Sequence, residues 1–176
     1  ALYEDKPHFR VYDKLMSKHF AAHPLGNSIL GSKESIKALK QEQMLSYFGR
    51  RYSAGNITVA GAGNLDYDAF VAKVAESCGA WTNFDVHRQT PRSKSTGGSE
   101  VIHDAKVLRE HIGLMSAAPA RQSADHYAAE LLSDIVGDDT GSRLYYALIE
   151  PGLADEASMS YSAMDQAGGF LTFIST

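Results

Sequence analysis

Two histidines four residues apart are the first candidates for chemistry. His19 and His23 face the same way if their segment is helical, and two imidazoles at that spacing can share a metal ion. No glutamate lies between them, and Pro24 biases His23 out of the helix. The spacing therefore predicts a surface histidine pair at a helix end, without a metal site. His103 and His111 fall on adjacent predicted strands without a third ligand nearby in sequence, so both are interpreted as structural or solvent-facing.

A glycine turn, Gly61-Ala-Gly63, superficially resembles the start of a dinucleotide-binding loop. Asp66 stands where that fingerprint needs its third glycine, and its negative charge would repel a pyrophosphate. The pattern therefore predicts a tight turn between a strand and a helix.

Other reactive residue types give no complete active site. Glu130, Asp134, Asp138 and Asp139 form an acidic cluster without the spacing and loop glycine of an EF-hand, which predicts a solvated helix end. Cys78 lies on the apolar face of a predicted helix, a position typical of packing rather than of a nucleophile. The G-x-S-x-G pattern of a nucleophile elbow does not occur in the sequence.

Composition narrows the class of protein. The 176 residues are 44% hydrophobic and 22% charged, which is typical of a globular protein of one large or two small domains. A net charge of −4 disfavours nucleic acid or an anionic membrane as partner. A single cysteine excludes an internal disulfide framework and a Cys-rich zinc module, and it leaves the compartment open. No apolar run is long enough to predict a membrane span.

The first half of the chain predicts mainly helices. Apolar residues recur at helical spacing from Phe9 to Phe20, with Asp5 and Pro7 as cap and first-turn residue, and the helix must end before Pro24. A short helix capped by Ser32 and a second helical run through Met44, Leu45 and Phe48 follow. Residues 56–60 predict a short buried strand. Asp66 predicts the cap of a helix whose apolar face, Phe70, Val71, Val74 and Cys78, precedes a C′ glycine, Gly79.

The second half predicts strands around one main helix. Residues 101–102 and 107–115 read as extended, and residues 123–136 as a helix capped by Ser123 or Asp125. The apolar side of that helix is predicted to hold Ala128, Leu131, Leu132 and Ile135. A short helix over 143–150 stops at Pro151, and residues 156–164 and 169–175 predict a hairpin. Strands and helices mix without strict βαβ alternation, so an α+β fold is expected.

A polar stretch over residues 81–99, rich in Ser, Thr, Gly and basic side chains, is the linker candidate. Net charge changes there, from +2 over residues 1–88 to −6 over residues 89–176. Exposure is expected at its basic residues, Arg88, Arg92 and Lys94. The chain begins with Ala and stops within a predicted strand, so we expect a piece of a longer protein.

Three runs, in order and spacing, carry a resemblance to a known family: residues 23–39 (HPLGNSILGSKESIKAL), 52–66 (YSAGNITVAGAGNLD) and 141–154 (GSRLYYALIEPGLA). Together the chain resembles the insulinase-like (M16) zinc metallopeptidases and the related mitochondrial processing peptidases. The resemblance implies two-layer α+β domains, with residues 1–88 closing a first domain, 89–99 as linker, and 100–176 opening a truncated second domain. Asp5 and Pro7 then resemble the segment just downstream of the family's metal site, and residues 56–62 a strand of the first domain's sheet.

The resemblance also implies what this chain lacks. The family holds zinc with His-x-x-Glu-His and a later glutamate, which are expected upstream of residue 1; Glu4 is too far downstream to assign. The seven histidines, 8, 19, 23, 87, 103, 111 and 126, form no such motif. No catalytic, metal or cofactor residue is therefore expected here, with zinc expected in the parent protein only. In family halves that complete the site, an arginine and a tyrosine contact substrate, and those places resemble Ile149 and Asp155 here.

The leading hypothesis is a central fragment of a zinc endopeptidase that supplies scaffold and peptide-chamber wall and is inactive alone. Its expected partners are a peptide or unfolded substrate and a second half or partner subunit; bacterial cytoplasm and periplasm both stay open. The alternative is a non-catalytic structural or substrate-capture subunit of the same superfold. An unrelated α+β binding module that shares these turns by chance is a third possibility. The presence of His-x-x-Glu-His upstream distinguishes the first two.

Overall fold

A computed structural model describes residues 6–176 of the chain. It has the mixed α+β composition expected, with five α-helices and three strands among the described residues. In chain order these are α1 Pro7–Phe20, α2 Lys33–Ala38, α3 Gln41–Arg51, α4 Tyr67–Cys78, β1 His111–Ala117, α5 His126–Gly137, β2 Glu156–Met164 and β3 Ala167–Ser175. Short turns of 3₁₀-helix, Pro24–Gly26 and Ala54–Asn56, and a π-helical turn, Tyr145–Ile149, complete them. No described helix has both the length and the apolar character needed to cross a membrane.

Packing divides the chain into two units. Residues up to Gly31 group with Thr90–Thr176, and Ser32–Gln89 form the other unit. We call these the sheet unit and the helical unit. The domain boundary expected over residues 89–99 stays a prediction.

The sheet unit is built on an antiparallel sheet of order β1-β3-β2. The predicted hairpin is confirmed, with a tighter turn than expected, because β3 already begins at Ala167 and only Asp165 and Gln166 connect the strands. Gln166 adopts a left-handed φ of 56° in that turn. β3 lies between the two other strands, pairing Ala157 and Ile112 with Ile174.

The loop after β1 lies directly against the hairpin. A Cβ at Gly168 would lie 1.9 Å from the carbonyl oxygen of Pro119, so only glycine permits this approach. Ala118 N–H donates to Gly168 O at 3.1 Å, and Tyr161 Oη donates to Pro119 O at 2.7 Å. A backbone N–H and a tyrosine hydroxyl therefore both hold the loop on the sheet.

α1 begins at Pro7 and ends before Pro24, as the sequence predicted, and the predicted cap Asp5 lies outside the described residues. It packs on β1, where Gly113 leaves room for the side chains of Val11 and Leu15. A Cβ at Gly113 would lie 2.5 Å from side-chain atoms of both, so a larger residue would require these side chains to shift.

α5 buries a different face from the one predicted. Its buried residues are Ala129, Ser133 and Gly137, spaced four apart, and the helix packs on β2. Gly137 sits so close that a Cβ would be 2.1 Å from Met159 N. Small side chains occupy the buried face because the helix and the strand lie too close together for larger ones. The predicted face is largely exposed, with Leu131 at 64% and Ile135 at 62%.

A buried hydroxyl joins two distant segments of the helical unit. Ser53, 1% exposed, donates from Oγ to Phe84 O at 2.7 Å and accepts from Phe84 N–H at 2.8 Å. The predicted Ser32 cap is confirmed, as a capping box with Ser35. α3 covers the predicted run from Met44 to Phe48. α4 is capped by Asp66 and ends at Cys78, as predicted.

The strand expected at residues 56–60 is wrong, since no ladder includes them among the described residues. A strand needs a hydrogen-bonded neighbour, and the described part of the helical unit contains none. The glycine predicted to follow α4, Gly79, has a φ of −61°, and a Cβ there would lie 2.5 Å from Ala75 O.

Other boundaries in the sheet unit shift. Residues 101–102 form no strand, and β1 starts at His111 rather than at residue 107. β1 forms only where β3 offers a partner, from His111 opposite Ser175 to Ala117 opposite Gly169. The predicted helix over 143–150 is observed with π-type bonds, Glu150 N–H donating to Tyr145 O.

Candidate functional site

The prediction that His19 and His23 form a surface pair is wrong for His19, because the fold buries its side chain. His19 is 5% exposed at the end of α1, and burial lowers the pKa of its imidazole. His23 lies beyond the helix: its Nδ1 accepts from Leu25 N–H at 3.2 Å, and its Nε2 donates to Pro91 O at 3.0 Å. Both ring nitrogens of His23 are therefore hydrogen-bonded to backbone groups, and this side chain has a structural role.

The other histidines also lie apart. His111 stacks on Phe173 with ring centroids 5.8 Å apart, and its buried Nδ1 has no hydrogen-bond partner in the described chain. His103 is exposed in an irregular segment rather than on a neighbouring strand. Across residues 6–176, no group of three or more His, Cys, Asp or Glu side chains is placed to hold a metal ion.

Residues 61–63 bend before α4, as predicted, but the strand expected on their other side is not among the described elements. Gly63 has a φ of 131°, a conformation that favours glycine. Asp66 Oδ1 accepts from Ala69 N–H at 2.8 Å, so the aspartate itself occupies the helix end where a phosphate would bind.

The acidic cluster and the cysteine keep their structural interpretations. Glu130, Asp134, Asp138 and Asp139 are exposed, and Asp138 Oδ1 accepts from Asp139 N–H. Cys78 is half-buried at the end of α4 and is a free thiol.

Ile149 and Asp155 lie near the end of the π-helical turn and the start of β2. Ile149 is half-buried and its side chain cannot donate a hydrogen bond. Asp155 donates its N–H to Ser175 O at 2.8 Å, and its carboxylate pairs with Arg109 at 2.8 Å. Neither side chain can stabilise an oxyanion.

Exposed charges on the sheet unit pair across segments distant in sequence. Glu100 accepts from Lys18 and Lys14 at 3.2 and 3.3 Å, and hydrogen bonds from Lys18 first and then Lys14 lower the pKa of this carboxyl. The pKa of Asp104 is lowered by the Lys106 backbone N–H and then by Arg10, 2.5 Å away. These pairs attach the segment before β1 to α1.

The sequence did not predict how residues 91–96, which we call the strap, are held. Pro91 O accepts from His23, Ser93 N–H donates to Gln166 O at 3.2 Å, and Thr96 N–H donates to His19 O at 2.9 Å. Residues 92–95 line a cavity together with His19 and the loop after β1. The attachments are mostly backbone hydrogen bonds, which composition does not encode.

Known proteins of similar sequence and fold place the chain in a family. The family model described as the peptidase M16 inactive domain matches residues 38–176. An uncharacterized zinc protease of Mycobacterium leprae is 32% identical over 171 residues, covering 94% of this chain and 38% of that protein. The mitochondrial-processing peptidase subunit beta of Blastocladiella emersonii is 33% identical over 133 residues, 72% of this chain and 27% of its own length.

Solved structures agree on the fold. A peptidase M16 inactive domain from Pseudomonas fluorescens superposes with a TM-score of 0.83 at 21% identity, over 99% of this chain and 43% of that one. A chain of complex III2 from Candida albicans has a TM-score of 0.74 at 20% identity, over 99% of this chain and 43% of that one. The chain spans about two fifths of the length of the first curated relatives. On the family match across most of its residues, the chain belongs to the M16 peptidase family and carries that family's inactive-domain region.

Proposed function

We propose that the chain is a central part of a zinc-dependent endopeptidase, in which it supplies scaffold and a wall of the peptide chamber. The match of residues 38–176 to the family's inactive domain carries this proposal. Zinc would be held upstream, by the His-x-x-Glu-His motif that this sequence lacks. The zinc proteases among the relatives support the activity of the parent.

The exposed apolar face of α5 supports a scaffold role. Tyr127, Leu131, Leu132 and Ile135 are between 46% and 69% exposed on the side of the helix opposite Ala129 and Ser133. A helix that is apolar on both sides is typical of the interior of a larger protein. Because the relatives are about two and a half times as long, further parts of the parent chain are the expected cover.

The substrate-contacting arginine and tyrosine are expected elsewhere in the parent assembly. Ile149 has no donor, and Asp155 would repel an oxyanion and is already paired with Arg109. We therefore assign the zinc to the parent of this chain, and the arginine and tyrosine to a later half or a partner subunit.

The test is cleavage of a quenched peptide by the full-length parent, alone and with its candidate partner. We expect chelator-sensitive cleavage that needs the second half or the partner. Zinc-dependent cleavage by a parent that lacks both would contradict the division of labour. Absence of cleavage in every combination would favour the non-catalytic alternative, to which the complex III2 chain gives support at the level of the fold.

The 176-residue chain alone is expected to bind no zinc tightly and to hydrolyse no peptide. Calorimetric titration of the metal-stripped chain checks this. A stoichiometric site that His19→Ala or His23→Ala abolishes would overturn it, because these two residues form the only i, i+4 histidine pair in the sequence.

A further inference from the structure

The cavity beside the strap has the size of a small-molecule site. Its volume is about 530 Å³, and it lies within the sheet unit. Its walls are the end of α1 at His19, strap residues 92–95, residues 117–120 and 122–123 after β1, and residues 166–168 at the hairpin turn. Cavities of roughly 300–1,000 Å³ are the usual range for ligand sites.

The charged side chains that line the cavity are all positive. Arg92 and Lys94 are its two cations, and none of the described residues that line it is a carboxylate. Within residues 6–176, neither cation has an ion-pair partner. They occur in the half of the sequence whose net charge is −6. A concave surface with unpaired cations and no acid attracts an anion.

The backbone of the strap, from which the side chains of Arg92 and Lys94 extend, is held in place by hydrogen bonds. Pro91 O, Ser93 N–H and Thr96 N–H are bonded to His23, Gln166 and His19. The backbone on both sides of Arg92 and Lys94 is therefore attached before any ligand arrives. A backbone that is already ordered reduces the entropy lost when the ligand binds.

Two other polar side chains of the wall, Gln122 and His19, add no positive charge to the cavity. Gln122 is engaged at both ends of its amide, since Oε1 accepts from Gln166 N–H at 3.1 Å and Nε2 donates to Asp165 Oδ1 at 3.3 Å. His19 is buried, and burial lowers the pKa of its ring, so it adds no charge near neutral pH.

We propose that this cavity binds a carboxylate group carried by a peptide, with Arg92 and Lys94 as the binding residues. The planar guanidinium of Arg92 can donate two parallel hydrogen bonds to a carboxylate. The choice of a peptide as carrier rests on the proposed function, in which this chain forms part of a peptide chamber. The carboxylate is either the C-terminus of the peptide or a glutamate or aspartate side chain.

Three short acetylated alanine peptides serve as probes of the 176-residue chain: one with a free C-terminus, one amidated with a central glutamate, and one amidated with a central glutamine. Amide chemical shifts of Gly168, Ala118 and Ser93 report binding at the cavity. We expect saturable shifts with at least one carboxylate peptide and none with the glutamine peptide. Comparing the first two identifies the source of the carboxylate.

The variant Arg92→Gln is expected to weaken binding about two- to fivefold, the range of an exposed ion pair. Arg88→Gln is the matched control. This substitution removes the same charge from the same polar stretch, but Arg88 does not line the cavity. Equal weakening by both variants, shifts with the glutamine peptide, or tighter binding of inorganic phosphate would overturn the proposal.

Failure here is distinguishable from failure of the proposed function. If the parent cleaves peptides and the cavity binds none, the cavity proposal falls and the function stands. If the cavity binds carboxylate peptides and the parent cleaves nothing with any partner, the enzymatic function falls and the site stands.

Discussion

His19 links α1, the strap and the cavity through one residue. Its carbonyl oxygen accepts from Thr96 N–H, while its ring is buried edge-on against Phe20 with ring centroids 4.7 Å apart. Burial penalises the charged form of the imidazole and so lowers the pKa of His19, which favours the neutral ring.

This burial predicts a loss of stability in acid. The pKa of His19 is lower in the folded than in the unfolded chain, so the unfolded chain binds the proton more readily. The stabilising contribution is complete above the unfolded pKa of about 6.5 and is lost as pH falls below that value towards the folded pKa. We expect His19→Gln to narrow the difference between urea midpoints at pH 7.5 and 5.5.

The control for this measurement is His87→Gln. His87 is an exposed histidine, with a side chain 88% accessible. The His87→Gln variant should show the same difference between urea midpoints at pH 7.5 and 5.5 as the unchanged protein. If both variants narrow the difference equally, burial of His19 is not its cause.

Close contact between elements decides which face of α5 is buried. The three small residues Ala129, Ser133 and Gly137 meet β2, and the large apolar side chains point elsewhere. Glycine at the last position of the helix lets the backbone of Met159 approach, a steric requirement rather than a conformational one.

Gly137→Ala is therefore expected to lower the free energy of unfolding by about 1–3 kcal/mol, because the new methyl group has no space beside Met159. Gly49→Ala is the matched control within α3: nothing lies within 4 Å of its added Cβ. Alanine there should raise stability by about 0.5–1 kcal/mol, since it restricts the unfolded chain and favours helix. Urea unfolding followed by circular dichroism measures both, and a neutral Gly137→Ala would contradict the packing described.

The opposite face of α5 gives a second prediction. Leu131→Lys should change the unfolding free energy of the 176-residue chain by less than about 0.5 kcal/mol, because the side chain is 64% exposed. In the full-length parent the same change is expected to destabilise by about 2 kcal/mol or more, because it buries an unpaired charge. Ala129→Lys should destabilise both proteins; a Leu131→Lys parent as stable as the unchanged one would contradict burial of this face.

At the scale of the whole molecule, the division of the chain is open to direct test. The helical unit ends at Gln89, immediately before the strap. Arg88 lies ahead of the strap, whereas Arg92 and Lys94 lie within it, next to hydrogen-bonded backbone. A protease must bind extended, unpaired backbone, so attachment slows cleavage.

Limited trypsin digestion should therefore cut first after Arg88, and later after Arg92 and Lys94. Mass spectrometry of early fragments identifies the order. First cleavage after Arg121 or Arg143 would instead indicate that the sheet unit opens before the polar stretch and that the boundary proposed at residues 89–99 is misplaced.

The sequence alone determined the elements whose signals are local. Ser32, Asp66 and Pro7 mark helix starts because capping and proline geometry depend on neighbours within a turn. The hairpin over residues 156–175 followed from alternating apolar residues around a turn. The family was predicted from three sequence runs and is confirmed by the family match and by relatives about 32% identical, and the absence of a zinc motif could be read directly.

The tertiary structure decided everything that needs a partner from elsewhere in the chain. Residues 56–60 have strand-forming composition, but a strand exists only beside another, and β1 forms only where β3 pairs with it. The small residues of α5 face β2 because the backbone of β2 lies against Gly137 with no space for a larger side chain. The spacing of apolar residues in the sequence does not indicate this distance. The strap and its cavity arise from hydrogen bonds between segments about 70 residues apart, and most of these bonds join backbone groups, which are the same in every residue type.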